Sequence, residues 1–182
     1  MCSICAMHLV PRFRLLPCLP FICLGGYFFD YDQAVQTILR EVKFNANFKL
    51  AQWLDDPNMM QGVPSIFFDS DAFACVPSHW MRQLCRGKPH IPYLFRRMMP
   101  FIANESMYLK RIRYTRSSVG LSRQERVGYS EKPRFGWVGP AYESVVILDD
   151  VVTTGTTVSD IACVLRQKGV QNVMVLAMAY RS

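Results

Sequence analysis

The sequence of 182 residues has the length of one domain, or of one domain with a small appendage. Hydrophobic residues make up 51% of it and charged residues 19%, which excludes a disordered or fibrous chain, and its apolar runs are shorter than the roughly 18–20 residues of a membrane span. The net charge of +7 is unevenly distributed along the chain, because residues 81–134 contain thirteen Lys and Arg against three Asp and Glu. This basic segment predicts an anionic partner that carries phosphates, either a small ligand or nucleic acid.

Cysteines cluster at the N-terminus, where four of the seven lie in the first 23 residues. A secreted disulfide framework would spread its cysteines along the chain, so the cluster favours a structural zinc site in a reducing compartment. Prolines at positions 17 and 20 interrupt the apolar run that a signal peptide would need, so we expect a cytoplasmic protein. The alternative, that the thiols are free or buried, stays open. We predict a cysteine-rich zinc knuckle in residues 1–26, with the ligands Cys2, Cys5, Cys18 and Cys23.

A strand and a helix are predicted after the knuckle. Residues 27–31 are aromatic and predict a strand, and Asp32 can cap a helix whose apolar residues, from Ala34 to Val42, fall on one face. A shorter helical piece is predicted over residues 48–54. The apolar run of residues 73–76, closed by Pro77, predicts the end of a buried strand.

The second half of the chain contains the clearest pattern. Residues 90–103 predict a helix, and the polar, basic residues 104–140 predict a long mobile excursion with one short strand near residues 108–114. The last forty residues predict a buried strand, a helix that ends at Gly169, and a second buried strand over residues 173–179. A strand–helix–strand unit implies parallel strands, so the predicted fold is α/β, with a mainly parallel, twisted sheet flanked by helices.

Residues 145–157 predict the ligand chemistry. Two carboxylates follow a buried strand, and the sequence Thr-Thr-Gly-Thr-Thr then leads directly into a helix. Ligands of open α/β sheets bind at the carboxyl ends of strands, and the N–H groups and dipole of a helix N-terminus attract anions. Carboxylates suit the hydroxyls of a sugar, so the stretch predicts a site for a ribose with a 5′-phosphate. The predicted contacts are Asp149, Asp150, Thr153, Thr154, Gly155, Thr156 and Thr157.

A structural role for the same residues is the alternative. Asp149 would then cap the loop, and Thr154 or Thr156 would cap the following helix. A Walker A loop is excluded, because the stretch lacks the Gly-Lys-Ser/Thr ending of that motif.

The stretch resembles the phosphoribosyl pyrophosphate (PRPP) motif of type I phosphoribosyltransferases. The order of the other segments resembles the ComF family of competence-associated, type I phosphoribosyltransferase-like proteins. The resemblance rests on the cysteine cluster, on residues 31–54 with Lys43-Phe44, on Pro77-x-His79-x-x-Arg82-x-x-x-Arg86-Gly87, and on Arg113, Leu121 and Arg126. The chain departs from the family where Lys88-Pro89-His90 replaces an aromatic-Asn-Gln sequence.

The resemblance implies that residues 27–182 form a phosphoribosyltransferase-like domain with Asp149 and Asp150 as catalytic residues. PRPP would bind with Mg²⁺, and pyrophosphate would leave as the phosphoribosyl group is transferred. Further contacts to the ligand are implied at Pro77, His79, Arg82 and Arg86. The family also implies a second function, a non-catalytic accessory role in DNA uptake during natural competence, with single-stranded DNA or a competence helicase as the partner.

Two features of the basic segment stay open on sequence grounds. Residues 110–126 contain six basic side chains with tyrosines nearby, which could bind a nucleic-acid backbone or could form the flap that closes over PRPP in related enzymes. His79 and His90 are interpreted either as core or capping histidines or as neighbours of the pyrophosphate.

Overall fold

The computed structural model describes residues 9–54, 56–77, 90–96, 108–112 and 134–182. In chain order the strands are β1 (Arg14–Leu15), β2 (Leu24–Asp30), β3 (Ala72–Cys75), β4 (Leu109–Arg111), β5 (Phe135–Trp137), β6 (Ser144–Val152) and β7 (Asn172–Tyr180). The α-helices are α1 (Gln33–Asn45), α2 (Ile91–Leu94) and α3 (Thr156–Gln167), and short 3-10 helices cover Phe48–Trp53, Pro57–Met60 and Ser65–Phe67.

Five strands form one mixed sheet in the order β1-β2-β7-β6-β3. The pairs β2–β7, β7–β6 and β6–β3 are parallel, and only the two-residue strand β1 is antiparallel to its neighbour. The predicted α/β architecture with a mainly parallel sheet is confirmed. Because the four parallel strands point the same way, their carboxyl ends meet at one edge of the sheet, and we call this the carboxyl edge.

Helix α1 follows directly from its sequence. The side chain of Asp32 accepts a hydrogen bond of 2.8 Å from the N–H of Val35, which satisfies a free donor of the first turn. The helix ends at Ala46, which adopts the left-handed conformation with φ 52°. Its buried face consists of the predicted residues Val35, Ile38, Leu39 and Val42.

The sheet separates two hydrophobic cores. Val146 and Leu148 of β6 pack on the side of α1 and α2, whereas Val145 and Ile147 pack on the side of α3. This alternation does not continue to the end of β6, because Val151 packs on the α1 side and Val152 on the α3 side.

The excursion after α2 contains a small antiparallel ribbon. Strand β4 confirms the short strand predicted near residues 108–114, and its partner β5 was not predicted. Leu109, Phe135 and Trp137 are buried in the core on the α3 side, and Arg134 forms an ion pair with Asp160 of α3. The base of the excursion is therefore attached to α3.

Several predicted elements have different bounds in the structure. The helical piece after α1 is a 3-10 helix, and Trp53 at its end is 43% exposed. Helix α2 covers only Ile91–Leu94, so the helix predicted over residues 90–103 is wrong at positions 95 and 96, and positions 97–103 lie outside the described residues. None of the helices in the described ranges has the length and apolar character needed to cross a bilayer.

Candidate functional site

Strand β6 carries both acidic residues within its hydrogen-bonded length. The sequence predicts a strand over residues 145–148 with the acids beyond it, whereas β6 runs to Val152 and Asp149 pairs in register with Ala177 of β7. Asp149 is only 6% exposed and Asp150 only 4%. The carboxylate of Asp150 points to the α1 face, where Lys43 and His90 contact it, and the two acid side chains lie within hydrogen-bonding reach of each other near the carboxyl edge.

Asp150 is the centre of a buried polar network. Its Oδ2 atom accepts a hydrogen bond of 2.5 Å from Lys43 Nζ of α1 and lies 3.2 Å from His90 Nε2, at the start of α2. Its Oδ1 atom accepts a bond of 3.0 Å from the N–H of Val151. Burial alone would raise the pKa of Asp150, but the hydrogen bond from His90 and the positive charge of Lys43 outweigh it and hold that pKa well below its usual range. Asp150 is therefore a buried carboxylate that stays ionised.

Asp149 has the opposite electrostatic environment. Burial, and then the negative charge of Asp150, raise the pKa of Asp149 well above its usual range. Its Oδ1 atom accepts a hydrogen bond of 2.9 Å from the N–H of Asp150. The environment therefore favours the protonated form of Asp149, which can donate a hydrogen bond, and the ionised form of Asp150, which can only accept.

The threonine loop, residues 153–157, connects β6 to α3. Gly155 is the N-cap of α3 and adopts φ 74°, a conformation that favours glycine. No side chain caps this helix, and the hydroxyls of Thr154 and Thr156 lie 2.9 Å from each other. Thr153, Thr154 and Thr156 are exposed. The capping alternative for the threonines is therefore wrong, and the first N–H groups of α3 face the carboxyl edge with exposed hydroxyls beside them.

Gly155 itself is buried, because Leu19 lies against it. A Cβ atom built on Gly155 would lie 2.4 Å from Leu19 Cδ2, which is closer than real Cβ contacts allow. Leu19 belongs to the N-terminal segment before β2 and packs against the core on the α3 side. Leu19 thus fills the space that a side chain at Gly155 would occupy on one side of the loop.

Pro77 is the other described residue of the predicted ligand contacts. It follows β3, and the N–H of the preceding Val76 donates a 2.9 Å hydrogen bond to the carbonyl of Leu148, next to Asp149. Pro77 therefore lies one strand away from the acids, at the carboxyl edge. The predicted contacts His79, Arg82 and Arg86 lie outside the described residues.

The predicted zinc ligands are described for one pair only. Cys18 and Cys23 are free and exposed, and the thiol of Cys23 lies 3.1 Å from the carbonyl oxygen of Val173. Cys2 and Cys5 lie outside the described residues, and within the described ranges there is no group of three or more His, Cys, Asp or Glu side chains that could hold a metal. The described residues supply two thiols that could bind zinc, so the predicted four-cysteine site also requires Cys2 and Cys5.

Lys43 is the site residue that sequence analysis missed, and His90 was considered without its partner. His90 is buried, as expected for a core histidine, but it bonds to a carboxylate of the candidate site. Lys43 and His90 are 107 and 60 residues from Asp150 in sequence, so no local spacing indicates the network. The one indication in the sequence is that Lys43 comes directly after Val42, the last residue of the buried face of α1, from where a basic side chain can reach the sheet.

Comparisons with known proteins agree with the resemblance. No protein-family model matches the chain. The chain is 30% identical to Competence protein F of Haemophilus influenzae over 122 residues, which cover 60% of this chain and 50% of the relative. The chain thus spans about half the length of the curated relative that it matches. This similarity supports the predicted relationship to the ComF family.

Proposed function

From the relationship to the ComF family and the geometry of β6, we propose that this is a competence-related protein that binds PRPP or another ribose 5-phosphate group at the carboxyl edge. We further propose that it transfers the phosphoribosyl group and releases pyrophosphate. The observation that carries the proposal is the order of groups along one continuous segment. Asp149, Asp150, the exposed threonine loop and the N-terminus of α3 follow one another in residues 149–157.

Each group has a chemical counterpart in such a ligand. The carboxylate of Asp150 accepts a hydrogen bond from a sugar hydroxyl, and the carboxyl group of Asp149 can donate one in its protonated form, which burial favours. The N–H groups of the first turn of α3 and the threonine hydroxyls donate to the 5′-phosphate. Groups held in place before the ligand arrives contribute to transfer chiefly by positioning the sugar and by stabilising charge in the transition state.

Two metals belong to the proposal. Mg²⁺ would arrive with the pyrophosphate group, whose oxygens are the hard ligands that it prefers, and would neutralise charge on the leaving group. Zn²⁺ would be structural and would be held by Cys2, Cys5, Cys18 and Cys23.

An accessory role in DNA uptake is the second candidate. It is favoured by the name of the H. influenzae relative and by the excess of positive charge in residues 81–134. Within the described part of that segment, Arg96 and Lys110 are exposed. Single-stranded DNA, or a helicase that carries it, is the partner that this role would require.

The two candidates separate in a direct binding comparison. Isothermal titration of the full chain with PRPP and Mg²⁺, and in parallel with single-stranded DNA, should show saturable binding of PRPP. Release of pyrophosphate from PRPP when an acceptor base is supplied would support the transfer reaction. Binding of DNA without binding of PRPP would instead support the accessory role and overturn the first proposal.

A further inference from the structure

Lys43 and His90 reach the candidate site from two different helices. Lys43 lies near the end of α1 and His90 precedes α2, and both donate toward the same oxygen, Oδ2 of Asp150. The side chain of Lys43 is 30% exposed, whereas those of His90 and Asp150 are 7% and 6% exposed. The ammonium group of Lys43, whose side chain is partly exposed, therefore pairs with a buried carboxylate.

The network holds both oxygens of the Asp150 carboxylate. A carboxylate oxygen has about two acceptor positions. On Asp150 the donors of Lys43 and His90 occupy both positions of Oδ2, and the N–H of Val151 occupies one position of Oδ1. The side chain of Asp149 also lies within hydrogen-bonding reach of this carboxylate. Three donors from three elements of the fold also prevent the carboxyl group from rotating.

The donors also keep the group charged. An isolated carboxylate at this depth would be strongly disfavoured, because burial removes its hydration. Pairing with an imidazole and an ammonium group lowers the pKa of Asp150, whereas burial and the charge of Asp150 raise the pKa of Asp149. The network thus favours the negative charge on Asp150 over that on Asp149.

We propose that Lys43 and His90 are positioning residues of the sugar site, which hold the carboxylate of Asp150 in the orientation in which it accepts a hydrogen bond from a sugar hydroxyl. This inference rests on the proposed function. It assigns no ligand contact to Lys43 or His90 themselves, since both act through Asp150.

Two other roles make different predictions. If Lys43 contacted the phosphates of the ligand itself, its loss would weaken binding whether or not Asp150 is present. If the network only attached α1 and α2 to the sheet, its loss would lower stability without a specific effect on affinity. A double-mutant cycle separates these roles, because it measures whether two residues act through each other.

The experiment is calorimetric titration with PRPP and Mg²⁺ of wild type, Lys43→Met, Asp150→Asn and the double variant. Methionine keeps the packing of the lysine stem and removes its charge, and Lys49→Met, at an exposed lysine just beyond α1, is the matched control. We expect Lys43→Met to weaken binding roughly tenfold or more in the wild-type background and less than about twofold in the Asp150→Asn background. Lys49→Met should leave the affinity unchanged.

If Lys43→Met does not fold, a second double-mutant cycle, which combines His90→Leu with Asp150→Asn, takes the place of the first. The same loss of affinity in both backgrounds, or no loss in either, would overturn the positioning role while wild type still binds PRPP. Absence of PRPP binding by wild type would instead refute the proposed function, and the sugar-site role with it.

Discussion

Leu19 and Gly155 are in contact although 136 positions separate them in the sequence, and the contact leaves no room for a side chain at position 155. The separation from Leu19 Cδ2 to a Cβ on Gly155 would be 2.4 Å, and the backbone of Gly155 has φ 74°. Two independent physical constraints, close packing and a left-handed backbone, therefore require glycine at the N-cap of α3.

Gly155→Ala should destabilise the fold through both constraints. The left-handed backbone costs a residue with a side chain about 1–2 kcal/mol, and the overlap with Leu19 adds about 1–3 kcal/mol. Gly62→Ala is the matched control, because Gly62 has φ 79° and nothing lies within 4 Å of its added Cβ. In urea unfolding, Gly62→Ala should lower the free energy of unfolding only by the cost of the left-handed backbone. Adding Leu19→Ala to Gly155→Ala should restore part of the stability that Gly155→Ala loses. Equal losses in the two glycine variants would show that the contact with Leu19 is unimportant.

The acid pair predicts opposite effects of pH on stability. The folded state raises the pKa of Asp149, so that residue stabilises the fold at acidic pH and its contribution is lost as pH rises through the folded pKa. The folded state lowers the pKa of Asp150, so its contribution is present above the unfolded pKa, about 3.9, and is lost as pH falls below that value.

Replacing each aspartate by asparagine, whose side chain is a neutral amide, tests the direction of these two pH effects on stability. Asp149→Asn should raise the free energy of unfolding near neutral and alkaline pH, because it removes a carboxyl group that resists ionisation. Asp150→Asn should lower it by about 3–5 kcal/mol, because it leaves Lys43 and His90 without their anion. Unfolding in urea at a series of pH values checks both, and two variants with the same pH dependence as wild type would contradict the assignment of charge.

The order of reactivity among the described thiols follows from burial. Burial raises the pKa of Cys75 to about 12, so its reactive thiolate form is rare at neutral pH, whereas Cys18 and Cys23 are exposed. Alkylation of the folded, reduced and metal-free protein should therefore modify Cys18 and Cys23 quickly and leave Cys75 unmodified. Peptide mass analysis after timed labelling checks this, and rapid labelling of Cys75 would show that the core around β3 opens.

Zinc analysis tests the proposed knuckle. Protein kept reduced during purification should contain about one zinc per chain, and Cys18→Ser or Cys23→Ser should abolish it. Cys163→Ser, on α3, is the control and should retain the metal. A zinc-free wild-type protein would support the alternative of free thiols.

The structure explains why part of this site could be predicted and part could not. Helix α1 and its buried face, helix α3 and strand β7 follow from local periodicity, so the sequence predicts them well. The extension of β6 through the acids depends on pairing with β7, where Asp149 lies opposite Ala177 and Val151 opposite Ala179, and aspartate by itself disfavours a strand. The contacts of Lys43, His90 and Leu19 join residues far apart in the chain, and no local pattern encodes them.

The basic segment has its own test in salt-dependent DNA binding. If single-stranded DNA binds through phosphates, the logarithm of affinity should fall linearly with the logarithm of salt concentration, by about 0.7 per phosphate contact. Replacing Lys110, Arg113 and Arg116 by alanine should flatten that slope and weaken DNA more than PRPP. Arg111 is left unchanged, because its guanidinium lies 5.6 Å from the ring centre of Phe135 and contributes to packing. Fluorescence anisotropy measures the slope, and no binding by wild type at low salt would exclude a direct DNA contact.

The measurement that tests the central claim most directly is calorimetric titration of PRPP, with Mg²⁺, into wild type and into the double variant Asp149→Asn, Asp150→Asn. Asp69→Asn is the matched control, because Asp69 is an exposed aspartate that precedes the amino end of β3, away from the carboxyl edge. We predict saturable binding by wild type and by the control, and no detectable binding by the double variant although it remains folded. Unchanged affinity in the double variant would contradict the assignment of the acid pair, and no binding by wild type would contradict the proposed ligand.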